Sequence, residues 1–169
     1  MSGVIKRVVP VIDYSVRALC TKEYPGHKKG CPNYNHKDGC PPAAKLFDKV
    51  YDISKPVYAI INKFDFKSHV EKMRVLHPKW SNRKCECLLY WQPKARKQLL
   101  EGIKVFLTHN DKERLNQGYE VIKCPEAMGI DITKTLETAG ITLEWPPKNI
   151  ACQVVLAAIP YKTNEIGGG

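Results

Sequence analysis

The chain has 169 residues, 43% of them hydrophobic and 26% charged, which suits one folded domain and excludes both wholesale disorder and a fibrous repeat. Lys and Arg number 27 against 17 Asp and Glu, a formal charge of +10 that draws the protein toward polyanions, RNA or DNA included, without specifying one. No window approaches the roughly 18 apolar residues of a membrane span, and the opening residues carry too short an apolar run for a secretory signal, so the expectation is a cytoplasmic protein without a membrane anchor.

Residues 4–11 are rich in β-branched side chains and read as a short strand, and residues 13–19 permit a helical turn. Residues 20–42 then lose hydrophobic periodicity altogether, with glycines, prolines, three cysteines and two histidines set among lysines. Residues 43–51 place Leu46, Val50 and Tyr51 at helical spacing behind Pro41 and Pro42, which suit a helix start. Residues 57–66 form a nearly continuous apolar run, the pattern of a strand covered on both sides.

Ser68 is placed to cap a helix reaching Leu76, with Val70, Met73 and His77 on one face. The clearest helix spans residues 93–107, where Leu99, Leu100, Ile103 and Phe106 make an apolar stripe and Lys94, Arg96, Lys97 and Lys104 a basic face. Asp131 caps a helix over residues 132–139 that Gly140 ends, and residues 150–159 read as a closing buried strand. This alternation predicts a small α/β or α+β domain over residues 1–163: a central sheet flanked by helices, with a long N-terminal Cys-rich metal-binding loop and a flexible glycine-ended tail, 164–169.

Seven cysteines in a reduced compartment point to metal or catalysis before disulfides. A stretch as long and as poor in apolar residues as 20–42 needs something to organise it, and an ion or cluster that cross-links it is the most direct candidate. Cys20, Cys31 and Cys40 are separated by ten and eight residues, wider than zinc knuckles or bacterial ferredoxins use. Their neighbours carry more weight. Proline follows Cys31, Cys40 and Cys124, as it does beside iron–sulfur ligands, and stiffens the chain there; Gly30 and Gly39 precede two of the cysteines and let backbone approach a bulky core.

Three thiolates leave a fourth position to Cys124, Cys85 or Cys87, of which Cys124 ranks first for its following proline; an unfilled position would make the centre reactive. His27 and His36 keep a Cys₃His zinc site in contention, whereas Cys152 reads as a core cysteine. Glu126 and Asp131 read as a turn residue and a helix cap before a carboxylate pair.

Cys20, Cys31-Pro32-Asn33-Tyr34, Cys40-Pro41-Pro42 and, much later, the Glu126-Ala127-Met128-Gly129-Ile130-Asp131 segment together resemble the uncharacterised "predicted metal-binding protein" family of bacteria and archaea. The resemblance spans residues 20–145 and implies ligand status for Cys20, Cys31 and Cys40 and, more weakly, for Cys124. That family usually carries a second, closely spaced cysteine group before the Glu-Ala-Met-Gly-Ile-Asp segment. Only Cys124 stands there in this chain, so the resemblance implies a shortened member that keeps the first site. It implies no reaction.

Two functions follow as expectations. The first is an iron–sulfur protein, of the [4Fe–4S] kind, in which a fourth cysteine in reach favours electron transfer or a structural role and an open iron favours chemistry. The alternative is a zinc-stabilised nucleic-acid-binding module, using Lys28, Lys29 and Lys37 around the cysteines, Lys79, Arg83 and Lys84 beside Trp80, and Tyr34, Trp80 and Trp91 as stacking rings. Whether the protein is an enzyme stays open at the level of sequence.

Overall fold

A computed structural model describes residues 3–23, 27–108 and 118–162; the tail 164–169 and His109 lie outside the described residues. Four strands, β1 (Val4–Val8), β2 (Val57–Asp65), β3 (Glu120–Ile122) and β4 (Ile150–Ala158), form one antiparallel sheet in the order β1-β2-β4-β3. β2 sits inside it, with Val4 opposite Ile61 on one side and Tyr58 opposite Ala157 on the other. The continuous apolar run of β2 has the cause anticipated, since Ala59, Ile60 and Ile61 are all fully buried and successive residues face opposite covered sides.

Among the described residues five α-helices accompany the sheet: α1 (Phe47–Val50), α2 (Phe66–Leu76), α3 (Asn82–Cys85), α4 (Leu88–Thr108) and α5 (Ile132–Glu137), with 3-10 helices at Tyr14–Thr21 and Pro125–Met128. The molecule is therefore α+β. On one side, α4 crosses β2 and β4 and buries Phe106 with Ile60, Val155 and Ala157; further along, Trp91 and Ala95 pack with Phe64, Phe66 and Val70. Asn62, buried on that face, donates to the Ala95 carbonyl at 3.0 Å, so its amide is not left unsatisfied. On the opposite side Val57, Ala59, Ile61 and Leu156 meet Phe47, Ile130, Ile132 and Leu136.

Several elements differ in extent from their sequence patterns. The helix anticipated over 43–51 shrinks to the single turn of α1, because the chain is drawn out at Tyr51, which bridges to Pro160. α2 begins before Ser68, and Asp65 is its cap, accepting from the Ser68 N–H at 3.0 Å. α4 begins at Leu88 and holds Pro93 inside it as its sixth residue, one turn past the start, where the missing N–H leaves the Leu89 carbonyl without its intrahelical partner. α5 ends at Glu137, short of Ala139, with Asp131 capping Lys134 N at 3.0 Å as expected and Gly140 at φ +73° beyond its end. β3 and α3, a three-residue strand and a single turn, are too short to leave a period in the sequence. Cys152 is half-buried against the core rather than within it.

Candidate metal centre

The described residues of 20–42 are held by backbone hydrogen bonds and turns, and none of them belongs to an apolar cluster. Asp13 caps the 3-10 helix Tyr14–Thr21 through the Ser15 N–H, and that helix delivers Cys20 in its last turn. The Cys31 N–H then donates to the Cys20 carbonyl at 2.8 Å, and the Asn35 N–H to the Pro41 carbonyl at 2.8 Å, folding the stretch back on itself twice. Gly30 makes the first of these closures possible. It sits at φ +84°, and a Cβ there would stand 2.6 Å from the Cys20 carbonyl oxygen and 2.8 Å from the Thr21 carbonyl carbon, so no other residue fits without moving the backbone. Gly39, by contrast, has open space around it.

Arg17 ties the far end of the stretch to the same 3-10 helix, donating from Nη2 to the carbonyls of Pro42 at 3.0 Å and Ala44 at 2.8 Å. Sequence reading missed it, since a single arginine in a basic chain carries no periodic or motif signal.

Cys124 arrives from the other end of the chain. It precedes the 3-10 helix Pro125–Met128, whose end at Gly129 adopts φ +89° with Tyr14 so close that a Cβ would stand 2.7 Å from its ring. Asp13 N–H donates to the Gly129 carbonyl at 2.8 Å, Asp131 N–H to the Val11 carbonyl at 2.9 Å, and Ile12 bridges to Ile130. The Glu-Ala-Met-Gly-Ile-Asp segment is thus the brace against which the helix bearing Cys20 rests, a structural reason for glycine at 129, while the aspartate at 131 caps α5.

These constraints bring Cys20, Cys31, Cys40 and Cys124 into one electrostatic neighbourhood. Burial pushes the Cys20 thiol up, and the thiols of Cys31 and Cys40, the Glu126 carboxylate and the Cys124 thiol push it further. Cys124 is the most exposed of the four, yet burial, then Glu126, Cys40 and Cys31, raise its pKa in turn, with only Lys123 opposing. Among the described residues, no three His, Cys, Asp or Glu side chains stand close enough to hold one metal ion. The four thiols are neighbours without being converged on a point. A cation placed among them would favour their thiolate forms and release their protons.

Glu126 occupies the turn assigned to it, and its carboxyl is raised by desolvation beside Cys20 and Cys124. Asp131 is the helix cap. A cleft of about 300 Å³ opens next to Cys124, between Gly39, Ala44 and Lys45 on one side and Ile122, Lys123 and Met128 on the other.

The remaining candidates are elsewhere. Cys85 is fully buried in the apolar cluster around Trp91, on the α4 side of the sheet, and Cys87 lies just before α4. His36 is exposed. The aromatic residues weighed for base stacking are largely committed. Trp91 is buried against Phe64 and Phe66, at 5.3 and 5.6 Å between ring centres. Trp80 is stacked on His77 at 3.9 Å with the Lys84 ammonium 4.3 Å from its centre. Tyr34 is half-buried, and Lys28, Lys29 and Lys37 are exposed around the cysteines. No described helix is long and apolar enough to cross a membrane.

Comparison of the chain with protein-family models, with curated proteins and with solved structures finds no match in any of the three.

Proposed function

We propose that Cys20, Cys31, Cys40 and Cys124 are the thiolate ligands of an iron–sulfur cluster of the [4Fe–4S] kind and that the protein uses it as a redox centre. The observation that carries this reading is that two chain segments far apart in sequence set four thiols near enough for Cys31, Cys40 and Cys124 to act on Cys20, and for Cys31 and Cys40 to act on Cys124. The donor set fits: four sulfurs, no nitrogen, at the number such a cluster takes. A cluster of this kind is itself several ångströms across, so its thiolates stand farther apart than those around a single ion. The resemblance on the Cys-Pro-Pro and Glu-Ala-Met-Gly-Ile-Asp segments supports the same ligands.

When bound, the cluster supplies one-electron transfer. The protein's own part is to set the sulfurs in place through Gly30, Arg17 and the Gly129 brace, with Cys20 half-buried and Cys124 exposed. With all four positions filled by thiolates, electron transfer rather than substrate activation at an open iron is the expected use.

Anaerobic purification followed by absorption spectroscopy and iron, sulfide and zinc analysis tests the proposal. A broad band at roughly 400 nm with iron and sulfide is expected, reduced sharply by Cys20→Ser, Cys31→Ser, Cys40→Ser or Cys124→Ser and kept by Cys85→Ala. Colourless protein containing stoichiometric zinc assigns the thiols to a zinc-stabilised fold instead, and neither metal removes both readings.

A further inference from the structure

We infer that the open edge of β4, together with the groove beside it, docks an extended acidic segment of a partner protein as an added strand. β3 covers only Leu156–Ala158 of β4, through the pairs Glu120 with Ala158, Val121 with Ala157 and Ile122 with Leu156. Continued in that register, the chain would set residue 123 against Val155 and residue 124 against Val154. Instead it leaves the sheet at Cys124 and Pro125, turning into the 3-10 helix that places Cys124 beside the other thiols. The position next to residues 151–155 of β4 therefore has no strand among the described residues. At its start the edge is closed, because the Ile150 N–H donates to Glu144 Oε2 at 3.3 Å.

An exposed edge is a template for another strand, and native folds usually blunt one with charge, proline or a covering element. Here it is flanked by a groove of about 440 Å³ formed by Leu99, Leu100 and Ile103 of α4 and by Gln153, Val154 and Val155 of β4. Three consecutive strand residues line it, although their side chains alternate between faces, so the groove follows the strand's edge rather than one face. Leu100 is 49% exposed on the helix wall, and Gln153 Oε1 is buried without a partner. A strand lying between a sheet edge and a helix takes its affinity from backbone hydrogen bonds and its selectivity from alternate side chains in the groove.

Charge selects the occupant. Arg96 on α4 and Lys123 at the end of β3 are the charged residues on the groove, both cationic, in a chain of formal charge +10. A second copy would set these cations against their own equivalents, whereas an acidic segment meets complementary charge. The unpaired edge spans about five residues, or roughly 16 Å of extended chain. An occupant's end reaches Lys123, the residue before Cys124, which sets the partner beside the cysteine group while contacting none of its cysteines.

The full-length protein, immobilised, is used to select from a displayed library of random octapeptides. Enrichment of alternating apolar residues with Asp or Glu between them is expected. Binding of a selected peptide should fall at least tenfold in the Leu100→Asp variant and at least tenfold when alternate peptide nitrogens are methylated. The backbone amides of Cys152 and Val154, which by alternation from Ile150 face away from β2, should gain hydrogen-exchange protection only when the peptide is present. The inference is overturned by a selection without enrichment, by peptides indifferent to both changes, by protection of those amides that rises with protein concentration alone and so reports a second copy, or by enrichment of basic peptides. Leu100 is exposed and lies apart from the cysteines, so the cluster's absorption in Leu100→Asp reports folding and the centre separately from docking.

Discussion

On one side of the sheet a 21-residue helix lays Ala95, Leu99 and Phe106 across β2 and β4; on the other, the described residues of 20–42 are tied by carbonyl and amide groups, one arginine and one obligatory glycine. The first side is held by apolar area removed from water, which is non-directional and tolerant of exact placement. The second is held by directional bonds that fix where four sulfurs sit. Stability and site geometry are thus lodged in different regions, and substitutions should separate them.

The largest loss of stability is expected from Phe106→Ala. Phe106 is 2% exposed and packs against Ile60, Val155 and the rings of Tyr58 and Tyr119, so its truncation opens a cavity worth about 3–5 kcal/mol. Chemical denaturation monitored by circular dichroism measures it. Iron bound per folded molecule should stay unchanged, and a proportional loss of iron would mean that the two sides are not separable.

Gly30→Ala is the converse. A Cβ 2.6 Å from the Cys20 carbonyl, at a positive φ, costs roughly 1–3 kcal/mol, less than the Phe106 cavity. Iron incorporation should nevertheless fall steeply, because the Cys31-to-Cys20 closure opens. Gly39→Ala, where a Cβ meets open space, is the matched control and should retain iron. Equal iron contents in the two variants would remove Gly30 from the site.

The contrast between the two sides also decides what could be read from the sequence. The stripe of α4, the doubly covered run of β2 and the cap at Asp131 are local patterns, repeated at 3.6 or 2 residues or set by one side chain against the next turn, and they were legible. Composition singles out the four cysteines as candidates, and a following proline adds to it for Cys31, Cys40 and Cys124. Their support was not legible: Arg17 to Pro42, Asp13 to Gly129 and Ile12 to Ile130 are pairings between distant residues, made through backbone atoms that every residue possesses. The shortness of β3 was invisible for a related reason. Its end is set by the turn at Cys124 and Pro125 into the 3-10 helix, not by the polarity of its own residues.

The smallest expected effect sharpens the comparison through pH. His69, on α2 beside Phe64, donates from one ring nitrogen to the Cys85 carbonyl, while its Nε2 is buried without a partner. Burial first, then the charges of Lys94 and Lys72, lower its pKa below the ordinary 6.5, outweighing the Cys85 bond. As pH falls through 6.5 the unfolded chain takes up this proton before the folded one does, so the folded state loses stability below that pH, until His69 itself titrates in the fold. His69→Gln keeps a donor for Cys85 and removes the titration, and its stability should therefore fall less than the wild type's between pH 7.5 and about 5. Glu126, raised by its own desolvation, contributes with the opposite sign, but it is present in both proteins and cancels from the difference. Denaturation midpoints of the two proteins at the two pH values give that difference directly. Identical pH slopes would place the acid sensitivity of the fold away from the α4 side, among the groups around the cysteines.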